Sequence, residues 1–181
     1  MHQAPEIKLQ LYDRLTSGNS YKVRLLLSFL DIPYETIDVP LENGRNKVDD
    51  AYLALNPRGQ IPTLVHGDVV LWGSTAILAY LASQFDAAKT WLPPQPVAIG
   101  RIMQWLEFAQ NEVTSGLFRA RAIRRFGYLG DLEQASRDGI KGLRCLTAHS
   151  GSATGWERRI RPSPTLLASP MQPWRPKADS T

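Results

Sequence analysis

Segments with strand-like and helix-like patterns alternate along the first 85 residues, and this order constrains the fold more than any other feature. Ile7 to Tyr12 alternates as a half-buried strand does, and Tyr21 to Leu30 follows as an apolar run with helical spacing. Pro33 ends that helix, and residues 34–39 predict a second strand. A strand, a helix and a strand in this arrangement form a right-handed βαβ unit with two parallel strands.

The segments that follow complete an α/β domain. Residues 45–53 predict a short helix, and two brief strands, 63–65 and 69–71, are joined by His66-Gly67-Asp68 as a hairpin. Ser74 is expected to cap a helix that continues to about Phe85. The predicted order, βαβαββα, is that of the thioredoxin-like fold.

After Phe85 the pattern becomes helical. Pro93-Pro94-Gln95-Pro96 marks a linker, and helical spacing from Val97 to about Arg125 and from Asp131 to about Arg144 predicts an incomplete all-α C-terminal domain. Beyond Leu146, prolines among Ser, Thr and Arg without any period predict poor order. We therefore expect a domain at 1–85, a linker at 86–96, a partial all-α domain at 97–145 and a tail at 146–181.

The distribution of charge argues against a nucleic-acid partner. Of the 21 Lys and Arg residues, 15 lie within residues 1–141, where 15 Asp and Glu balance them. The net charge of +4 therefore comes from residues 142–181, which lack an alternation of basic and aromatic residues.

The remaining composition predicts a cytoplasmic protein without a metal site. No apolar run approaches the ~18 residues that span a bilayer, and residues 1–7 lack the apolar core of a signal peptide. Cys145 is the single cysteine and the three histidines are widely scattered, so neither an internal disulfide nor a metal-ligand spacing is present.

Four motifs in the correct order carry a family resemblance: SGNSYKVR at 17–24, NPRGQIPTL at 56–64, LWGSTAIL at 71–78 and a helical start at Arg101. At this spacing, residues 7 to about 145 resemble the glutathione S-transferase family, in its bacterial, serine-type form. The resemblance implies an enzyme that transfers glutathione, its cosubstrate, to an apolar electrophile, and it implies a homodimer.

The same resemblance assigns the catalytic role to Ser17. A free thiol with a pKa of about 8.5 is mostly protonated at neutral pH, so the enzyme must stabilise the thiolate. Ser17 would donate a hydrogen bond from its hydroxyl to the glutathione sulfur at the positive end of the first helix, and Asn19 would add a second hydrogen bond. Ser20 is the alternative if the loop is shifted, and a plain helix cap is the structural alternative for all three residues.

The backbone of glutathione is expected to bind beside Pro62, which resembles the cis-proline of this fold. Its predecessor Ile61 would offer its backbone amide and carbonyl to the extended peptide. Gln60 and Lys47 are candidates for contact with the other end of the peptide. A plain turn proline is the alternative interpretation of Pro62.

The γ-glutamyl carboxylate is expected at Ser74 and Thr75, which place two hydroxyls and free backbone N–H groups at a helix start. Helix capping alone is the alternative, and both roles are compatible. The family usually has an acidic or amide side chain before this serine, whereas this chain has Gly73. This difference predicts a weaker γ-glutamyl contact.

The sequence constrains the electrophile pocket and the reaction type less than it constrains the glutathione site. Trp105, Phe108 and Leu117, with Leu15 opposite, could line an apolar pocket, although core packing is the alternative for each. Four basic residues would suit an anionic substrate, but a solvated helix face explains them better: Arg119, Arg121, Arg124 and Arg125. Isomerase, dehalogenase and disulfide-reductase activities also occur on this fold.

The tail leaves two further hypotheses open. The family continues with more helices, which this sequence lacks after Leu146. A frameshift within residues 146–154 would explain this, because codons for residues 161–181 can be read in another frame as a family-like helical segment. An incomplete helical domain would expose apolar surface, so the alternative function is an impaired glutathione-binding remnant or an interaction module.

Overall fold

A four-stranded mixed sheet forms the first part of the protein, in a computed structural model that describes residues 8–42 and 45–151. The strands are β1 (Leu9–Asp13), β2 (Glu35–Asp38), β5 (Thr63–His66) and β6 (Val69–Trp72), in the order β2-β1-β5-β6. β1 runs parallel to β2 and antiparallel to β5, and β5 pairs with β6 as a hairpin. β3 (Leu41–Glu42) and β4 (Arg45–Asn46) form a separate antiparallel ribbon.

Helices α1 (Gly18–Phe29), α2 (Asp50–Leu55) and α3 (Ser74–Phe85) connect these strands. Apart from the added β3–β4 ribbon, the order is the predicted βαβαββα. The thioredoxin-like fold is therefore confirmed for this part of the chain.

The main core lies between the sheet and helices α1 and α3. The alternation of β1 buries Leu9 and Leu11 on this side, against fully buried residues of α1 and α3 such as Leu27 and Ile77. Tyr12 lies on the opposite face, where its ring is 5.2 Å from the Tyr52 ring of α2. The sheet is thus covered by helix on both faces, as the period-two pattern of β1 requires.

Three helix starts differ from the sequence prediction. α1 begins at Gly18 rather than Tyr21, because Ser17 already caps it. α2 begins at Asp50 rather than at residue 45, because Asp49 accepts a hydrogen bond from the backbone of its first turn and residues 45–46 pair in the ribbon. The cap of α3 is Gly73, and Ser74 is its first helical residue.

The second region is helical, with residues 86–95 leading into it. α4 (Pro96–Phe108) continues without a break through a π-helical segment (Ala109–Phe118) into α5 (Arg119–Phe126). α6 (Leu132–Gly151) extends beyond the predicted end at Arg144 and includes the beginning of the predicted tail. Residues 152–181, and with them most of that tail, lie outside the described residues.

Two glycines allow the π-helical segment and α6 to cross closely. A Cβ atom added to Gly116 would lie 2.4 Å from the backbone nitrogen of Gly139, closer than real Cβ contacts allow. Gly139 lowers the helix propensity of α6, and a Cβ atom added to it would lie 3.0 Å from a side-chain carbon of Leu117, a tight contact. At Gly116, only a hydrogen atom fits between the two backbones.

Several apolar side chains of the helical region are accessible. α4 contains no fully buried residue, and Val97 and Leu129 are 67% and 91% exposed. Further along α6, Leu143 is 46% exposed. No helix among the described residues is both long and apolar enough to span a bilayer.

Candidate functional site

Ser17 and Ser20, the two candidates for thiolate stabilisation, occupy different environments. Ser17 is half-buried, and its Oγ accepts a hydrogen bond of 3.3 Å from the backbone N–H of Ser20. Since an acceptor hydroxyl keeps its own proton, Ser17 retains a donor for a ligand. Ser20 is fully buried, and its Oγ has no hydrogen-bond partner among the described residues. The geometry therefore favours Ser17 over Ser20.

Two guanidinium groups fix the loop that precedes α1. Arg24 forms an ion pair with the buried carboxylate of Asp13 and donates to the carbonyl of Leu15 over 3.1 Å. Arg121, from α5, donates to the carbonyl of Thr16, also over 3.1 Å. The sequence predicts a solvated face for Arg121, and the residue is exposed, but its guanidinium holds the backbone next to the candidate catalytic serine.

A buried polar cluster anchors the backbone before Pro62. The Ile61–Pro62 peptide is cis, as expected. The carbonyl of Gln60 accepts hydrogen bonds of 2.6 Å from both Tyr52 Oη and Asn56 Nδ2. The same two groups lie 2.9 Å from the hydroxyl oxygen of the buried Thr63. Burial is the main cause that raises the pKa of the Tyr52 phenol, so the phenol keeps its proton and can donate it.

The start of α3 presents a second group of donors. Gly73 adopts φ +87°, a left-handed value that favours glycine, and α3 has no side-chain cap. Ser74 is buried and Thr75 is half-buried. Gln110 Nε2, from the π-helical segment, donates to Ser74 Oγ over 3.1 Å and to Thr75 Oγ1 over 2.8 Å.

These two groups meet through Asn19 and Pro62. The Ser74 hydroxyl donates to Asn19 Oδ1 over 3.5 Å, a long contact that links the starts of α1 and α3. The backbone N–H of Gly73 donates to the carbonyl of Pro62 over 3.3 Å. The structure therefore brings Asn19, Pro62, Ser74 and Thr75 together, with Ser17 at the start of the same helix as Asn19.

The side chains of Gln60 and Lys47 make fewer contacts with the candidate site than the residues above. The side chain of Gln60 is exposed, whereas its carbonyl belongs to the buried cluster. Lys47 Nζ lies 3.6 Å from a Glu42 carboxylate oxygen, and both side chains are largely exposed. Only the backbone of Gln60 is therefore held in place by the contacts described above.

A cavity of about 540 Å³ lies along the π-helical segment. It is lined by Gln110, Asn111, Thr114, Ser115, Phe118 and Arg119. None of the residues expected to line an apolar pocket is among them: Trp105 packs edge-to-face on Phe108, and Leu15 is 83% exposed. Five of the six residues that line the cavity have polar or charged side chains, whereas the sequence predicts aromatic and aliphatic ones. Among the described residues, no cluster of His, Cys, Asp or Glu is able to hold a metal ion.

Sequence reasoning missed the side chains that reach the site from distant elements. Gln110 lies in a helical run with no motif that marks it, and Arg121 is marked only as one of four basic residues, with no role at this loop predicted. Asn56 opens the NPRGQIPTL motif, so it was visible as part of the resemblance although its anchoring role was not predicted.

Comparison with known proteins agrees with this geometry. A family model described as "Glutathione S-transferase, N-terminal domain" matches residues 11–89. Glutathione S-transferase 3 of Zea mays is 40% identical over 99 residues, which cover 55% of this chain and 44% of that protein. The chain spans about half the length of the first curated relatives it matches.

Two other relatives match over more of their length. Glutathione S-transferase 1 of Dianthus caryophyllus is 38% identical over 177 residues, 90% of this chain and 77% of that protein. Because that match covers 90% of the chain, it extends past Leu146. A solved glutathione S-transferase from Pseudomonas fluorescens is 31% identical with a TM-score of 0.70, over 80% of this chain and 72% of that one.

Proposed function

This chain belongs to the glutathione S-transferase family, and from that premise we propose that it binds glutathione and transfers it to an electrophilic small molecule. One observation carries the proposal: the starts of α1 and α3, each with free donors, are linked by the Ser74–Asn19 contact. A tripeptide with a thiol at its centre and a carboxylate at its γ-glutamyl end matches such a pair of donor groups.

In the proposed reaction, Ser17 acts on the sulfur. The thiol proton leaves to solvent, and the Ser17 hydroxyl donates a hydrogen bond to the resulting thiolate, which the positive end of α1 also stabilises. The thiolate then attacks the electrophilic carbon of the second substrate, and the leaving group departs with the bonding electrons. Ser17 donates this hydrogen bond without giving up its proton.

The rest of glutathione would bind along the cis-proline segment and α3. The backbone of Ile61 pairs with the extended peptide, and the hydroxyls of Ser74 and Thr75, with the N–H groups at the start of α3, receive the γ-glutamyl carboxylate. Asn19 contributes a second side chain near the sulfur. The electrophile occupies the cavity beside Phe118 and Arg119.

Isothermal titration with glutathione tests the binding step. The wild-type chain is expected to bind, and Ser74→Ala is expected to weaken binding because it removes a donor to the carboxylate. A folded wild-type protein that binds no glutathione would refute the proposal.

A second experiment isolates the role of Ser17. Ser17→Ala should leave glutathione bound but raise the pKa of its thiol towards about 8.5, with a rate loss of about a hundredfold at neutral pH. Thiolate absorbance measured against pH in the complex reports this pKa directly. Ser28→Ala, an exposed serine near the other end of α1, is the matched control. An unchanged thiol pKa in Ser17→Ala would remove Ser17 from the mechanism.

The exposed apolar residues of the helical region favour a second candidate function, a glutathione-binding module with impaired catalysis. Val97, Leu129 and Leu143 are accessible in the described residues, and an enzyme pocket needs a well-packed helical domain behind it. Tight glutathione binding without measurable turnover of any aryl halide electrophile would support this candidate over the transferase.

The homodimer stays a prediction from the family resemblance, and the cytoplasmic location stays a prediction from the sequence. Sedimentation equilibrium tests the first, and localisation of the tagged protein tests the second. The frameshift hypothesis also stays a prediction, and the codons of the gene decide it.

A further inference from the structure

We propose that Gln110 is a positioning residue for the γ-glutamyl end of glutathione, an inference that rests on the proposed function. Its carboxamide nitrogen lies between two hydroxyl oxygens at the start of α3, 3.1 Å from Ser74 Oγ and 2.8 Å from Thr75 Oγ1. A side chain from the helical region thus controls two groups that belong to the thioredoxin-like part of the chain.

The direction of these hydrogen bonds determines what the hydroxyls can do. A carboxamide NH₂ group has two protons and no acceptor, so Ser74 and Thr75 must accept from Gln110. Each hydroxyl then keeps its own proton for another acceptor. The Ser74 proton is directed to Asn19 Oδ1 by a long contact of 3.5 Å, which a stronger acceptor can replace. The Thr75 proton is available to a ligand.

The surroundings fit a carboxylate as that ligand. Gly73 carries no side chain, a Cβ there would meet no atom within 4 Å, and α3 has no side-chain cap. The first N–H groups of α3 are therefore not capped by a side chain, and the space beside the N-cap is open. A carboxylate placed there would accept from these N–H groups and from the two oriented hydroxyls.

Gln110 also borders the cavity along the π-helical segment. The residue therefore contacts the start of α3 and faces the space proposed for the second substrate. Replacement of the amide by a carboxylate would reverse its role, because a carboxylate accepts the hydroxyl protons and repels a second carboxylate nearby.

The test compares glutathione with an analogue that lacks the γ-glutamyl carboxylate, γ-aminobutyryl-cysteinylglycine. Gln110→Ala should weaken glutathione binding by about tenfold, and Gln110→Glu by about a hundredfold. Binding of the analogue, read by ligand-detected NMR, should change less than about twofold in either variant. Gln104→Ala, an exposed glutamine of α4, is the control and should change neither ligand.

The outcomes separate this inference from the function on which it rests. If the wild-type protein binds no glutathione, the proposed function fails. If the wild-type protein binds glutathione but folded Gln110 variants bind it equally well, only the role of Gln110 is overturned. Equal weakening of glutathione and the analogue would also overturn it, because that result indicates a general structural effect. Thermal unfolding of each variant confirms that it is folded.

Discussion

The cluster of Tyr52 and Asn56 around the carbonyl of Gln60 predicts that substitutions of these two residues have non-additive effects on the free energy of unfolding. Each of the two side chains contacts the same pair of oxygens, the Gln60 carbonyl and the hydroxyl of Thr63. Asn56→Ala or Tyr52→Phe alone therefore leaves each oxygen with one partner. The double variant removes both partners, and Thr63 is fully buried.

The expected free energies of unfolding follow from these contacts. Asn56→Ala loses two donated hydrogen bonds and the one that its Oδ1 accepts from the Arg58 backbone, which at ~1 kcal/mol each amounts to about 3 kcal/mol. Tyr52→Phe should cost about 1.5 kcal/mol because only the hydroxyl is lost. The double variant should lose about 1–2 kcal/mol more than the sum, since two oxygens are then left without a partner.

Urea unfolding of the four proteins, followed by far-ultraviolet circular dichroism, measures these differences if the slope with urea is unchanged. Asn56→Asp is a control of matched shape: its carboxylate cannot donate to the Gln60 carbonyl, so it should destabilise at neutral pH at least as much as alanine does. Losses that add within about 0.5 kcal/mol would refute the idea that the two side chains share hydrogen-bond partners.

Three further changes test other parts of the structure. Gly116→Ala should destabilise the protein by about 3 kcal/mol because the π-helical segment and α6 must separate. Gly100→Ala, where a Cβ has open space, should stabilise it slightly, so the two melting temperatures should move in opposite directions. Arg24→Met should cost about 3–5 kcal/mol in urea unfolding because it leaves the Asp13 carboxylate buried without its cation, and a loss below about 1 kcal/mol would contradict this. Burial lowers the pKa of Lys22 from 10.5, so the unfolded chain binds that proton more tightly than the folded chain does. The free energy of unfolding should therefore rise with pH between the folded and unfolded pKa values, and Lys22→Met should remove that rise.

Local patterns in the sequence predicted the sheet and the first helices well. The alternation of β1 and the apolar run of α1 depend on residues that are neighbours in the chain, so their period is visible without the structure. The predicted starts of the helices agree less well with the structure. The predicted start of α2 at residue 45 is too early because pairing with Leu41 and Glu42 holds Arg45 and Asn46 in a ribbon.

The residues that complete the candidate site could not be predicted because their partners are far away in the chain. Gln110 and Ser74 are separated by 36 residues, and Arg121 and Thr16 by 105. No local pattern specifies which face of a long helix meets another element. Gly116 illustrates the same point, since a glycine that weakens a helix locally is required where two backbones cross.

One continuous helical run, from Pro96 to Phe126, contacts the start of α3 through Gln110 and the loop before α1 through Arg121. Docking of that run and binding of a ligand at those two places are therefore thermodynamically linked. A ligand that binds the docked arrangement more tightly raises the population of docked chains, and docking raises the affinity for that ligand by the same factor. Glutathione would then act on this chain as a folding cofactor as well as a substrate.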